Sequence, residues 1–479
     1  MPIHSLFPEC LTGAECQDIQ SRLTAGRFRT LTAATRRALA TGGRGGFSTY
    51  IGDFLQALNR LLQDDAERAA ELAGHWSVDF FLPAAADSDL AARDAASRLL
   101  PSLLCERLSD GTSPLMGLGF ETRCLEDGAL PAFIPQGRIF IRGVSSPLEW
   151  LHWECGAGTA TVWRASDPSI NQTIPVPLSL SAVSPGVQFY PFHDLDPWKL
   201  PLIPSGEEAL LLNASQPEYA APEGDHTEDS GTVPVARSLV EAHDILLRVW
   251  PEVVDWAKAL IPAIAEVPAP SGSNTHFSGS FGPGLPIYLS GVRDPLFHAE
   301  DLLHELQHQR FHLAIPSEAW FERWHDGGFI SPYRADPRPL SGLHLGLHAF
   351  VGVNEFRLRA LEAGISSVIS PSELLRTHRQ NLFVMRTVLT HERLSADARR
   401  YYATMAHALQ RHGRLIESMV DEETAGRVDA RFEEHIARVR ADAPDAENGS
   451  VPVHAAAIGE FEGIAALERG AANGGIHEN

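Results

Sequence analysis

The chain reads as an α+β protein, mainly helical, in which a helix bearing a His-Glu-x-x-His motif packs on a second helix beside a smaller β-rich region. Two observations predict this. Apolar residues recur at helical spacing through most of the first 110 positions and again from about 236 onward. Between about 138 and 215 the pattern changes to short runs rich in β-branched and aromatic residues, broken by Pro and Gly.

In chain order, residues from about 14 to 110 are predicted as helix, with apolar periodicity clearest in 47–72 and 85–104. Segments 138–142, 159–163 and 173–178 are predicted strands, and 194–198 a turn. Residues 215–233 are acidic and poor in apolar side chains, which marks a linker or loop. Pro251 interrupts the helical run from about 236 to 265; it lacks a backbone donor and crowds the preceding turn, so two helices or a kink are expected. Segments 275–281 and 286–290 look like the strands of a hairpin, followed by the motif helix. Helical patterns resume at 374–389, 395–410 and 414–441. These elements suggest an N-terminal helical region (1–135), a β-rich region with an acidic linker (136–233), a motif-bearing catalytic domain (234–442) and a poorly ordered tail (443–479).

At 479 residues, 44% hydrophobic and 21% charged, the chain has an ordinary globular composition and material for two or three units. Its net charge of −22 opposes binding to nucleic-acid phosphates, which needs clustered Lys and Arg, and disfavours anionic membrane surfaces. No apolar run is long enough to span a bilayer. The five cysteines form no Cys-x-x-Cys pair and no basic-then-apolar leader opens the chain, so a reduced, cytoplasmic setting is expected.

The chemistry concentrates in His304-Glu305-Leu306-Gln307-His308. Residues four apart on a helix are offset by about 40°, so both imidazoles project from one face and can hold one metal ion, with Glu305 at its edge. A third ligand is needed, with a position left open for chemistry. The next predicted helix carries His344, His348 and Glu355 within about 40° of one another, and Glu355 is the leading candidate, with the two histidines as alternatives. His276, His298, His312 and His325 lie nearby in sequence, with structural or supporting roles expected. Between the two helices runs Ser331-Pro332-Tyr333-Arg334-Ala335-Asp336-Pro337-Arg338-Pro339-Leu340-Ser341-Gly342. Its three prolines stiffen the loop, and a guanidinium on it offers a planar fork for a carboxylate; alternatively the arginines pair with Asp336.

The motif and the Pro/Arg loop together resemble the HExxH-motif domain of peptide-modification gene clusters, sometimes fused to a radical S-adenosylmethionine domain. The resemblance is best over residues 236–363 and rests chiefly on the loop; His348 stands where members often carry an aromatic. It implies an iron(II)- and 2-oxoglutarate-dependent hydroxylase acting on the β carbon of an amino-acid residue in a peptide or carrier-bound substrate. His304, His308 and Glu355 would hold the iron, Arg334 or Arg338 the 2-oxoglutarate, and Glu305 would orient ligands or substrate. The competing expectation is a zinc metallopeptidase with Glu305 as general base on a zinc-bound water. A scaffold that only binds a partner peptide is a third.

Overall fold

In a computed structural model, the protein is described over residues 6–446, apart from 41–45, 84, 86–87, 124–128, 135–136, 142, 145–148, 179–186, 192, 204–231, 268–277, 281, 291–292, 316–319, 366–368 and 445. Most of the expected linker, nearly all of the expected tail, and His276 lie outside these residues. The chain is mainly helical, with three small sheets.

Five helices open it: α1 (Gly13–Ala40), α2 (Gly46–Asp64), α3 (Ala66–Ala73), α4 (Trp76–Phe81) and α5 (Asp89–Leu99). They share an apolar core with an antiparallel sheet of order β1-β4-β5-β6: Gly119–Arg123, Trp150–Cys155, Thr159–Arg164 and Asn171–Pro175. On β4, Leu151, Trp153 and Cys155 are buried and the residues between them are not, the period of two expected of a half-covered strand. A second antiparallel sheet joins β2 (Ala129–Ile134), β3 (Gly137–Ile141) and β7 (Val187–Pro191).

The third sheet, of order β11-β12-β10-β9-β8, takes β8 (His193–Leu195) and β9 (Leu200–Ile203) from before residue 233 and β10 (Ile264–Val267), β11 (Ser278–Ser280) and β12 (Ile287–Ser290) from after it. It therefore crosses the boundary expected at 233/234. The β11–β12 hairpin pairs Ser278 with Leu289. As Pro251 requires, the helical run is divided, into α6 (Thr232–Val249) and α7 (Pro251–Leu260).

The remaining helices are α8 (Pro295–Ala314), α9 (Leu340–Glu362), α10 (Pro371–His391), α11 (Ala396–Glu417) and α12 (Glu422–Asp442). Helix α8 carries the motif. Asp294 caps its first turn by accepting from the Leu296 N–H, and Pro295 occupies a position where no donor is needed. It is buried almost all round, although its sequence is polar, and its buried polar groups are matched one by one. Glu300 pairs with Arg357, Asp301 with Arg293, Gln307 with Arg310, and Gln309 donates to the Leu285 carbonyl.

Helix α9 packs closely on α8 at Gly352, where an added Cβ would stand 2.4 Å from Gln307 Nε2. Gln307 is fully buried and holds Arg310, so it has no free direction in which to retreat. Gly352→Ala is expected to destabilise the fold by about 1–3 kcal/mol through overpacking, read as a lowered denaturant midpoint at unchanged m-value.

Residues 6–9 run in extended form into the catalytic half. The Leu6, Pro8 and Glu9 carbonyls accept from Arg310 Nη1 (3.2 Å), Trp250 Nε1 (3.3 Å) and Trp256 Nε1 (2.9 Å). Phe7 packs edge-on against Trp250, with centroids 5.8 Å apart. The expected N-terminal region is thus tied into the core that carries the motif.

Candidate metal centre

Helical spacing brings His304 and His308 together as expected. Their Nε2 atoms converge to 3.0 Å, with ring centroids 4.6 Å apart and ring planes nearly perpendicular. Together with the Glu305 carboxylate they form a group of donors within 4.8 Å of one another, the metal-binding arrangement found among the described residues. Burial, and next the neighbouring His304, hold the His308 ring well below its ordinary pKa, so it is the neutral base a metal requires. His308 Nδ1 has no hydrogen-bond partner.

Glu305 is 1% exposed. Its Oε1 accepts from Ser278 Oγ on β11 at 2.6 Å, and its Oε2 has no partner. Burial pushes its carboxyl up to about 8, against the Ser278 hydrogen bond that lowers it. A buried, half-satisfied carboxylate beside two convergent imidazoles fits a cation. The same atoms on a solvated helix face would have no reason to stay unpaired.

The expected third ligand is not brought to this group. The Glu355 carboxylate is engaged elsewhere: Oε1 accepts from Arg359 Nε (2.9 Å), and Oε2 from His412 Nε2 (2.8 Å) and Arg411 Nη2. Against the burial that would raise it, the hydrogen bonds of His412 and Arg359 and the charge of Arg411 hold the carboxyl down to about 2.

The alternatives are engaged too. His344 is fully buried, with Nδ1 against the Tyr402 hydroxyl and Nε2 3.7 Å from Glu392. His348 hydrogen-bonds the Gln307 main chain and packs on Phe311, with centroids 4.9 Å apart. His298 meets Ser238 Oγ at 2.8 Å and anchors the start of α8. The α9 side chain that meets the pair is Phe350, edge-on to His304 at 4.8 Å.

Phe350 connects the Pro/Arg loop to the centre. Tyr333 stacks on it at 4.5 Å, and Gly346 leaves room for that ring, whose Cδ2 would lie 3.0 Å from an added Cβ. The loop is pinned at both ends by paired hydrogen bonds between Phe329 and Arg338. Within it, the Tyr333 hydroxyl donates to Asn381 (2.7 Å), Gln380 donates to the Pro332 carbonyl (2.7 Å), and His435 of α12 bonds the main chain at Ser331 and Arg334.

Asp336 takes both arginines. Arg334 Nε donates to Oδ1 at 3.1 Å, and Arg338 Nε lies 3.0 Å from Oδ2 without hydrogen-bond alignment. This is the Asp336 pairing anticipated as the alternative to a substrate clamp, but it engages only the Nε edges. The Nη groups have no partner among the described residues. Asp336 thus orients two forks whose outer edges are available to another carboxylate.

Ser278, Tyr333, Phe350, Gln380, Asn381 and His435 escaped sequence reasoning as site-building residues. The local signals for two of them were Ser278's place in a predicted strand just before the motif and Tyr333's place inside the loop. Comparison with known proteins found no matching family model and no matching curated protein.

Proposed function

We propose that the protein is an iron(II)- and 2-oxoglutarate-dependent hydroxylase acting on an aliphatic β carbon of an amino-acid residue in a peptide or carrier-bound substrate. The observation that carries the reading is the pairing of a two-histidine, one-carboxylate donor set with a braced arginine loop one aromatic layer away. His304, His308 and Glu305 Oε2 would hold the iron, Glu305 taking the place expected of Glu355. The 3.0 Å Nε2 separation supports this. Two nitrogens about 2.1 Å from a metal stand about 3.0 Å apart at a right angle but about 3.4 Å apart at the tetrahedral angle.

Iron(II) with 2-oxoglutarate and O₂ supplies the oxidation: one oxygen atom enters the C–H bond, the other enters succinate, and CO₂ leaves. The chain's own part is positional. Arg334 and Arg338 present free Nη edges to the distal carboxylate of 2-oxoglutarate, and the Tyr333–Phe350 stack fixes their distance from the imidazoles. The substrate class rests on the resemblance of the loop alone.

One observation favours a second reading, a zinc peptidase. Glu305 lies beside the imidazole pair with one carboxylate oxygen unpartnered, where a base for a zinc-bound water would sit. Loading the protein anaerobically with iron(II), then adding 2-oxoglutarate and O₂, separates the two. Succinate is expected, even from slow turnover without substrate. No succinate, together with peptide cleavage by the zinc-loaded protein, would overturn the hydroxylase reading. Arg334→Ala and Arg338→Ala are expected to raise the KM for 2-oxoglutarate by about 10-fold or more, the equivalent of one charge-assisted hydrogen bond. Unchanged values in both variants would remove the loop from cosubstrate binding.

A further inference from the structure

Away from the motif, a cavity of about 630 Å³ opens between α2, α5 and strands β1, β4 and β5. That volume is within the range of small-ligand sites. One wall is an ion network already satisfied within itself. Glu121 takes Arg93 on one side and His152 Nδ1 (2.9 Å) on the other. Arg93 also lies over the Trp150 ring at 3.9 Å, and His152 stacks on Trp163 at 5.9 Å. Arg93 therefore has no charge to spare for an anion.

Across from this wall stands Asp53 of α2. It makes no hydrogen bond or ion pair among the described residues. The nearest cation acting on it, Arg60, gives its guanidinium to the Pro114 and Met116 carbonyls instead. Glu154 lines the same cavity, so its carboxylates outnumber its one guanidinium. Half-burial pushes the Asp53 carboxyl up, partly offset by Arg60.

A half-buried carboxylate that contacts nothing gains nothing for the fold, because desolvation costs it without a partner to compensate. A carboxylate facing aromatic rings in a cavity is what an organic cation needs, an ion pair from one side and a π-face from the other.

We propose that this cavity is a second binding site, separate from the metal centre, that takes an alkylammonium or guanidinium group on Asp53 with the Trp163 and Tyr50 rings as walls. The cation can come from a free amine or from a Lys or Arg side chain of a bound peptide; the recognised chemistry is the same.

The test uses the full chain, with chelator present so that the motif cannot contribute. Calorimetric titration compares agmatine, N-acetyl-lysine amide, N-acetyl-arginine amide and, as the uncharged match, N-acetyl-norleucine amide. Binding of the cations, weakening as salt rises, with none for the norleucine compound, is expected; tighter binding of the amides than of agmatine would identify a peptide side chain as the source. Asp53→Asn should weaken binding at least about 10-fold, the equivalent of one charge-assisted contact. It should also leave the melting temperature equal or higher, because no native contact is lost. His304→Ala should leave amine binding unchanged. Equal affinity of Asp53→Asn and the parent, or equal binding of the norleucine compound, overturns the proposal. Trp163→Leu, which removes the ring and spares the charge, should weaken binding as well; full affinity there rejects the aromatic wall.

Discussion

Glu355→Ala lowers the stability of the fold by about 3 kcal/mol and leaves stoichiometric metal binding intact. The side chain is 3% exposed and receives Arg359, Arg411 and the buried His412. Its removal strands the His412 N–H away from water and leaves two guanidinium groups in mutual repulsion, an effect of about 3 kcal/mol, reduced here because Arg411 is half exposed. The pH dependence has a definite sign. Glu355 is held at about 2 in the folded chain, below its unfolded value, so its contribution is present above about 4.5 and is lost as the pH falls through 2. The parent should therefore lose stability on acidification through that window, and Glu355→Ala should lose less. Denaturant titration at several pH values together with metal analysis checks both halves. A loss of iron at unchanged stability would return Glu355 to the metal.

His304→Ala and His308→Ala each remove one of two convergent donors, so metal affinity falls by more than the 10–100-fold typical of supporting residues, about 10³-fold or beyond. Succinate formation should fall with it. The fold should not suffer, because a neutral ring with an unpartnered Nδ1 leaves no stranded group behind when His308 is truncated. Metal stoichiometry after desalting, with circular dichroism as the control for folding, measures this. Full stoichiometry in both variants would remove the motif as a metal site.

The contrast between these two predictions shows what the sequence made legible. The His304–His308 pair is local: four residues on one helix fix the relation whatever packs around it. The angular argument for α9 was local too. His344, His348 and Glu355 do share a face, but that face meets Tyr402, Tyr401, Arg411 and His412 of α11. Periodicity says which residues point the same way; it does not say which neighbour they meet. Phe350, about 200° around the axis from His348, is the residue that reaches the metal pair.

The mainly helical α+β class, the break at Pro251 and the hairpin ahead of the motif were legible because each rests on local chemistry. The sheet that crosses residue 233 was not, since its strands are four residues or fewer and pair across a long stretch of chain. Nor was the seating of residues 6–9, because carbonyl groups, common to every residue, make its hydrogen bonds.

That seating sets an order of events during synthesis. Leu6 leaves the ribosome among the first residues, yet its acceptor position is filled by Arg310, two residues past His308 and made some three hundred residues later. The joint behind the metal-bearing helix cannot close on a growing chain that stops short of it. Until then Phe7 and the carbonyls beside it are a short apolar end in search of a seat, within reach of chaperones. The helix that carries the chemistry is clamped by the oldest part of the chain, and only once most of the molecule exists.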